Sequence, residues 1–120
     1  MGLIYFIKRV KLHIKIKSLI RYYDAILNDT SKQLSNLNKM LPLCNDSCLT
    51  EIRSDIISAI EQGNLCIRRI SYISVLLNNG DYSHLQNQSQ VIDNSYKKFA
   101  EMNNAIKLKL DILNISLKDC

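Results

Sequence analysis

Glycine and proline are nearly absent from this chain, with three Gly and one Pro in 120 residues. Sandwiches and barrels turn about every ten residues and need left-handed or φ-locked positions at those turns. The scarcity excludes a turn-rich β fold and leaves a few long helices joined by few breaks. Tryptophan is missing and there are only two Phe, so a thick globular core is not expected, and a narrow seam of Leu and Ile is. No run comes near the roughly 18 apolar residues that a bilayer span needs. Leu3-Ile4-Tyr5-Phe6-Ile7 is too short for a signal-peptide core, and its charges follow it where they should precede it. Met1-Gly2 opens a myristoylation pattern, but Phe6 stands where Ser or Thr is wanted. Asn28, Asn45, Asn87 and Asn114 head Asn-x-Ser/Thr triplets that matter only in a secreted chain. A cytoplasmic protein without a transmembrane segment is expected.

The pieces of an active site are also scarce. The two histidines, His13 and His84, lie far apart and neither reads as having an acid beside it. Cys44 and Cys48 form a C-x3-C pair, but Cys66 and Cys120 do not complete a zinc spacing, so no metal and no cofactor is expected. Cys66 reads as a small core filler, and a Cys44–Cys48 disulfide would require an oxidising compartment. There is no phosphate loop, nucleophile elbow or carboxylate pair. The acids are dispersed, as solvated residues usually are. The expectation is a protein that is not an enzyme.

Apolar residues at heptad spacing are abundant. From Ile16 the 3,4-spaced positions read Ile16, Ile20, Tyr23, Leu27, Thr30, Leu34, Leu37 and Leu41, and the run stops at Pro42. A period of about 3.5 keeps one seam facing a partner helix. A second register runs Leu49, Ile52, Ile56, Ala59, Gly63, Cys66, Ile70, Ile73 and Leu77, widened by Ile57, Ile60 and Ile67. Gly63 costs about 1 kcal/mol against Ala in a helix, which a close crossing by another helix would explain. A third runs Ile92, Tyr96, Phe99, Met102, Ile106, Leu110, Leu113 and Leu117. Asn45-Asp46-Ser47 supplies N-cap chemistry, Asn78-Asn79-Gly80 a helix stop, and Ser83-His84-Leu85-Gln86 a capping box. Helices are therefore expected at 16–41, 49–78 and 84–117, in one all-α domain. The expected seam comprises Leu27, Leu34, Leu37, Leu41, Ile52, Ile56, Ile70, Ile73 and Leu77.

Charge is concentrated at one end. Lys8, Arg9, Lys11, Lys15, Lys17 and Arg21 stand in residues 1–21 without one acid, while the net charge of the whole chain is +5. The other 99 residues therefore sum to −1. Such an end is a handle for something acidic, and these six are the candidate partner-binding residues. Val10 to Lys17 alternates apolar and basic in the period of a strand, yet no partner strand is visible. A helix that begins early and frays over 1–15 is the preferred reading. A solvated end, a protein partner, and a membrane or nucleic-acid tether are the three uses open to it. A protein partner ranks above a membrane or nucleic acid, and no nucleic-acid motif is present.

The early apolar spacing Leu3, Ile7, Val10 precedes a first arm containing Lys32-Gln33-Leu34-Ser35-Asn36-Leu37-Asn38-Lys39-Met40-Leu41. A polar turn follows, then a second arm with Leu49-Thr50, Arg53, Asp55-Ile56-Ile57-Ser58 and Arg68-Arg69-Ile70. This arrangement resembles the SpaM/InvI-like members of the YscO/FliJ group of type III secretion coiled-coil proteins, best over residues 30–75. The resemblance implies an antiparallel coiled-coil hairpin turning near 42–48, with both ends of the chain together and inserted into the hexameric secretion ATPase as a central stalk or escort. Export-gate proteins and chaperones are implied as further partners, at the inner-membrane secretion machinery, with the basic segment facing the ATPase ring. The break near 78–83 departs from that pattern and leaves a three-helix bundle as the alternative architecture. A compact helical inhibitor or immunity-type protein is the alternative function.

Overall fold

A computed structural model describes residues 2–44 and 49–117, with side chains through Leu113. The chain is all-α. Helix α1 spans Gly2–Met40, α2 Thr50–Asn78 and α3 Leu85–Leu117, with one 3-10 turn at Leu41–Leu43 around Pro42. Helices α1 and α2 form the expected antiparallel hairpin, and the second break lets α3 fold back on it, giving a three-helix bundle. It is a rod of 75 × 21 × 19 Å.

Two apolar clusters fix the directions. Ile16, Tyr23 and Ile26 of α1 meet Cys66, Ile70, Ile73 and Leu77 of α2 and Ile92 of α3. At the other end Leu34 and Leu37 meet Ile52, Ile56, Ala59, Phe99 and Ile106. The second register is buried at every position from Ile52 to Leu77, and Leu49 is half-buried. A fully buried Ile is worth about 2 kcal/mol, so this central stripe dominates the energetics. Two positions depart from the heptad reading. Ile26 is buried where Ile20 is exposed, and Ile57 stands in solvent while Ile60 and Ile67 pack. With partners on two sides, α1 winds at 3.6 residues per turn and the seam drifts off a strict heptad. Leu27 and Leu41 are partly buried against the clusters, completing the expected seam.

Gly63 lies between both neighbouring helices. A Cβ built there would stand 2.7 Å from Leu34 Cδ2 and 2.8 Å from Phe99 Cε1. The close approach is by side chains, and both belong to buried residues that have little room to retreat. Gly80 has a different reason for being glycine. Its φ is +74°, its N–H bonds Leu77 O at 3.2 Å, and the Asp81 N–H bonds Leu76 O at 2.9 Å. This is a Schellman stop, which ends α2. At the start of α3 the Ser83 hydroxyl donates to Asp81 Oδ1 at 2.6 Å, so the expected capping box gives way to an Asx turn. Leu49 occupies the N-cap of α2 without a side-chain cap bond, and the expected caps at 45–47 lie outside the described residues.

Polar bridges place α3 against α1. Tyr96 donates to Asp29, Gln33 Nε2 donates to the same carboxylate at 2.7 Å, and Asn103 Nδ2 donates to Gln33 Oε1. Tyr23 bonds Ser89, and Tyr22 donates to Asp93 at 2.9 Å. Asp29, Asp93, Glu51 and Asp55, expected to be merely solvated, are thus engaged across helices. From α2, Arg69 and Gln62 donate to Ser95, and Lys109 spans Glu51 (2.8 Å) and Asp55 (2.6 Å). The hydrogen bond to Asp29 raises the Tyr96 pKa from 10.0 to about 12; desolvation leads the raising of Tyr22 and Tyr23.

Two outcomes follow for purified protein. Gly63→Ala should lower urea-unfolding stability by about 1–2 kcal/mol, because overpacking outweighs the gain in helix propensity. Gly80→Ala should cost about 1 kcal/mol through its left-handed φ, although nothing touches it. A gain at either position contradicts the packing described. A tyrosine whose pKa is raised on folding stabilises fully below the unfolded value and loses that contribution as pH climbs through the folded one. Stability should therefore fall between pH 10 and about 12, and Tyr96→Phe should flatten the fall in a pH series of denaturation midpoints. An unchanged slope in Tyr96→Phe contradicts the bridge.

Candidate functional site

Helix α2 stops at Asn78 and α3 starts at Leu85, level with Ile16 to Leu19 of α1. Helix α1 does not stop there. It continues to Gly2, ahead of the 16–41 stripe and in line with the preferred reading of 1–15 as an early helix start, for roughly 20 Å at 1.5 Å per residue. Every residue from 2 to 15 is exposed. The period-2 alternation of Val10–Lys17 does not make a strand, because a strand needs a partner and none is present among the described residues. Helix propagates from a packed segment without a new nucleation cost, and Leu, Lys and Arg sustain it.

This arm is unusual surface. Leu3 is 72% exposed, Tyr5 67%, Phe6 63% and Ile14 62%. Apolar side chains this open and this close together form a contiguous patch of a kind that isolated surface residues do not. The cations Lys8, Arg9, Lys11 and Lys15 stand among them, with Lys17 and Arg21 at the base. All six sequence-predicted residues are thus brought onto the arm and its root, at one end of the rod. Helix α1 as a whole carries eight cations and two acids (Asp24 and Asp29), a balance of +6. Since the net charge is +5, all other residues sum to −1.

The arm's inner face continues the bundle seam. Stepping back from Tyr23 and Ile16 by heptads gives Arg9, and the alternating positions give Leu12 and Tyr5. Below it, Leu12, Lys15 and Leu19 face Tyr82, Leu85 and Gln86 across an open notch of about 650 Å³. The sequence pattern missed both the notch and the overhang, because each depends on where α2 ends relative to α1.

The ends of the chain do not lie together. Leu110 and Leu113 of α3 line a pocket with Met40, Cys44 and Leu49, at the far end from the arm. The resemblance implied the opposite. Helix α3, absent from a simple hairpin, carries the C-terminal end away.

Among the described residues no three His, Cys, Asp or Glu side chains come together as a metal site. His84 does have an acid near it, Asp81, held below the usual carboxylate range chiefly by the Ser83 side chain and backbone hydrogen bonds. Cys44 and Cys66 are free and buried, and the partner expected for Cys44, Cys48, lies outside the described residues. Burial pushes the Cys66 thiol up, only partly offset by Thr30 and Arg69, which suits a core filler. No helix among the described residues is long and apolar enough to cross a membrane. Comparison with protein families, with curated proteins and with solved structures finds no significant match.

Proposed function

We propose that this chain is a non-enzymatic docking rod of a type III protein secretion apparatus, engaging the secretion ATPase as a stalk or escort protein needed for export. One observation carries the reading: a 75 Å rod ends in a single uncovered helix that carries Lys8, Arg9, Lys11 and Lys15 and no acid. A compact inhibitor would instead bring its helices level and present a flat or concave cap. The inner face of the arm, Tyr5, Arg9 and Leu12, offers a partner helix the same apolar seam that α2 and α3 occupy further along. Lys8 and Lys15 flank that seam and select acidic residues in the partner. The notch at Leu19, Tyr82 and Leu85 is where the end of such a helix would seat.

On this reading only the N-terminal end enters the ATPase, in contrast to the paired ends of the group it resembles. The opposite end, near Leu110 and Leu113, is left for an export-gate protein or a chaperone, and the protein works in the cytoplasm at the inner-membrane machinery.

Mixing the purified chain with its cognate secretion ATPase should promote oligomerisation and raise ATP hydrolysis. Replacing Lys8, Arg9 and Lys15 together by Glu should remove the effect, with the helical circular-dichroism signal unchanged. No complex and no stimulation by the unaltered chain sinks the proposal.

A further inference from the structure

The arm has a second face, which the partner seam does not use. At 3.6 residues per turn, Leu3, Phe6, Ile7, Val10 and Ile14 fall within an arc of about 100°. The centre of that arc is about half a turn from the seam formed by Tyr23, Thr30, Leu34 and Leu37. All five are exposed, and they point away from α2 and α3. Lys17 and Arg21 continue the same line along α1, Lys11 borders one edge, and His13 borders the other. The cations do surround the arm, but they leave this one gap, and apolar side chains fill it.

We propose that this outer face rests on an anionic lipid surface, with the apolar stripe sunk at the headgroup level and Lys11, Lys17 and Arg21 on the phosphates. An interfacial helix needs an apolar arc with basic residues at its edges, whose long stems let the charges reach back to the headgroups. A plane also needs clearance, and here the bundle lies on the opposite side of α1. The rod can therefore lie along a surface without α2 or α3 touching it. Charge decides against a second copy as occupant. Two such arms would bring twelve cations together with no acid in residues 1–21 of either chain to answer them. It also favours lipid over an acidic protein helix. The stripe has Lys11 along one edge and runs into Lys17 and Arg21, so its occupant must be negative over that length and broad enough to meet the apolar arc and the cations at once.

This inference does not depend on the ATPase reading, and substitutions separate the two. The full chain should co-sediment with vesicles of mixed phosphatidylglycerol and phosphatidylcholine. It should bind phosphatidylcholine alone about tenfold more weakly, and binding should fall as salt rises. Phe6→Glu and Ile7→Glu should each weaken vesicle binding by about tenfold or more, since a charge cannot enter the acyl boundary. Both sites are exposed, so the circular-dichroism spectrum should not change. Tyr5→Glu, on the inner face, should leave vesicle binding within about twofold while impairing ATPase stimulation. Failure of the unaltered chain to bind the mixed vesicles overturns the proposal. So does loss of vesicle binding in Tyr5→Glu equal to that in Ile7→Glu. Retained ATPase stimulation in Tyr5→Glu together with its loss in Ile7→Glu would assign the outer face to a protein, and also overturns it.

Discussion

Unequal helix lengths govern this molecule. The Schellman stop at Gly80 ends α2 at the level where α1 is only part-way along, and α3 starts on that same level. Residues 2–15 are therefore left with no layer to pack against. The open seam, the notch beneath it, the outer stripe and the exposed cations all follow from that step. Had α2 run two turns further, the same residues would have been a buried, frustrated patch of lysines. The basic composition of the arm is consistent with its being kept in solvent until a partner or surface covers it.

Packing and polarity divide the work within the rod. The central stripe of α2 supplies most of the apolar burial, and it faces both neighbours at once. A stripe of Ile and Leu does not specify register well, since a slide by one heptad buries much the same surface. Register comes from the bridges of α3 to α1: Tyr96 to Asp29, Asn103 to Gln33, Tyr23 to Ser89. Each is a polar pair that would be left unsatisfied by a slip, and unsatisfied buried groups cost about 1–3 kcal/mol. The Thr30 hydroxyl is fully buried, with the Cys66 thiol as its polar neighbour.

Much of this was readable beforehand, and the reasons it stopped are physical. The register from Ile52 to Leu77 needs only one helix facing partners across a single seam, so spacing alone finds it. Both breaks were visible because Pro42 and Asn79-Gly80 act locally on the backbone. Ile20 falls outside the buried seam because α1, packed against α2 and α3, drifts off a strict heptad, whereas Ile57, one residue past the seam position Ile56, faces solvent. The bridging role of Asp29 and Tyr96 joins residues far apart in sequence, and no local pattern reports such a pair. The arm was the hardest to see. Its charges and apolar residues were plain, but its helicity is inherited from the packed part of α1, and its exposure is set by the end of a different helix. Only the assembled lengths reveal that four of the six cations stand on a free arm, with Lys17 and Arg21 at its root.

The central claim is that α1 stands clear of the bundle over residues 2–15, and small-angle scattering tests it most directly. The intact chain should scatter as a rod with a long dimension near 75 Å. Deleting residues 2–15 should shorten the particle by roughly 20 Å without widening its cross-section. A particle of equal length with and without the segment, or an intact chain that is near-spherical, would show the arm folded against the bundle and contradict the account.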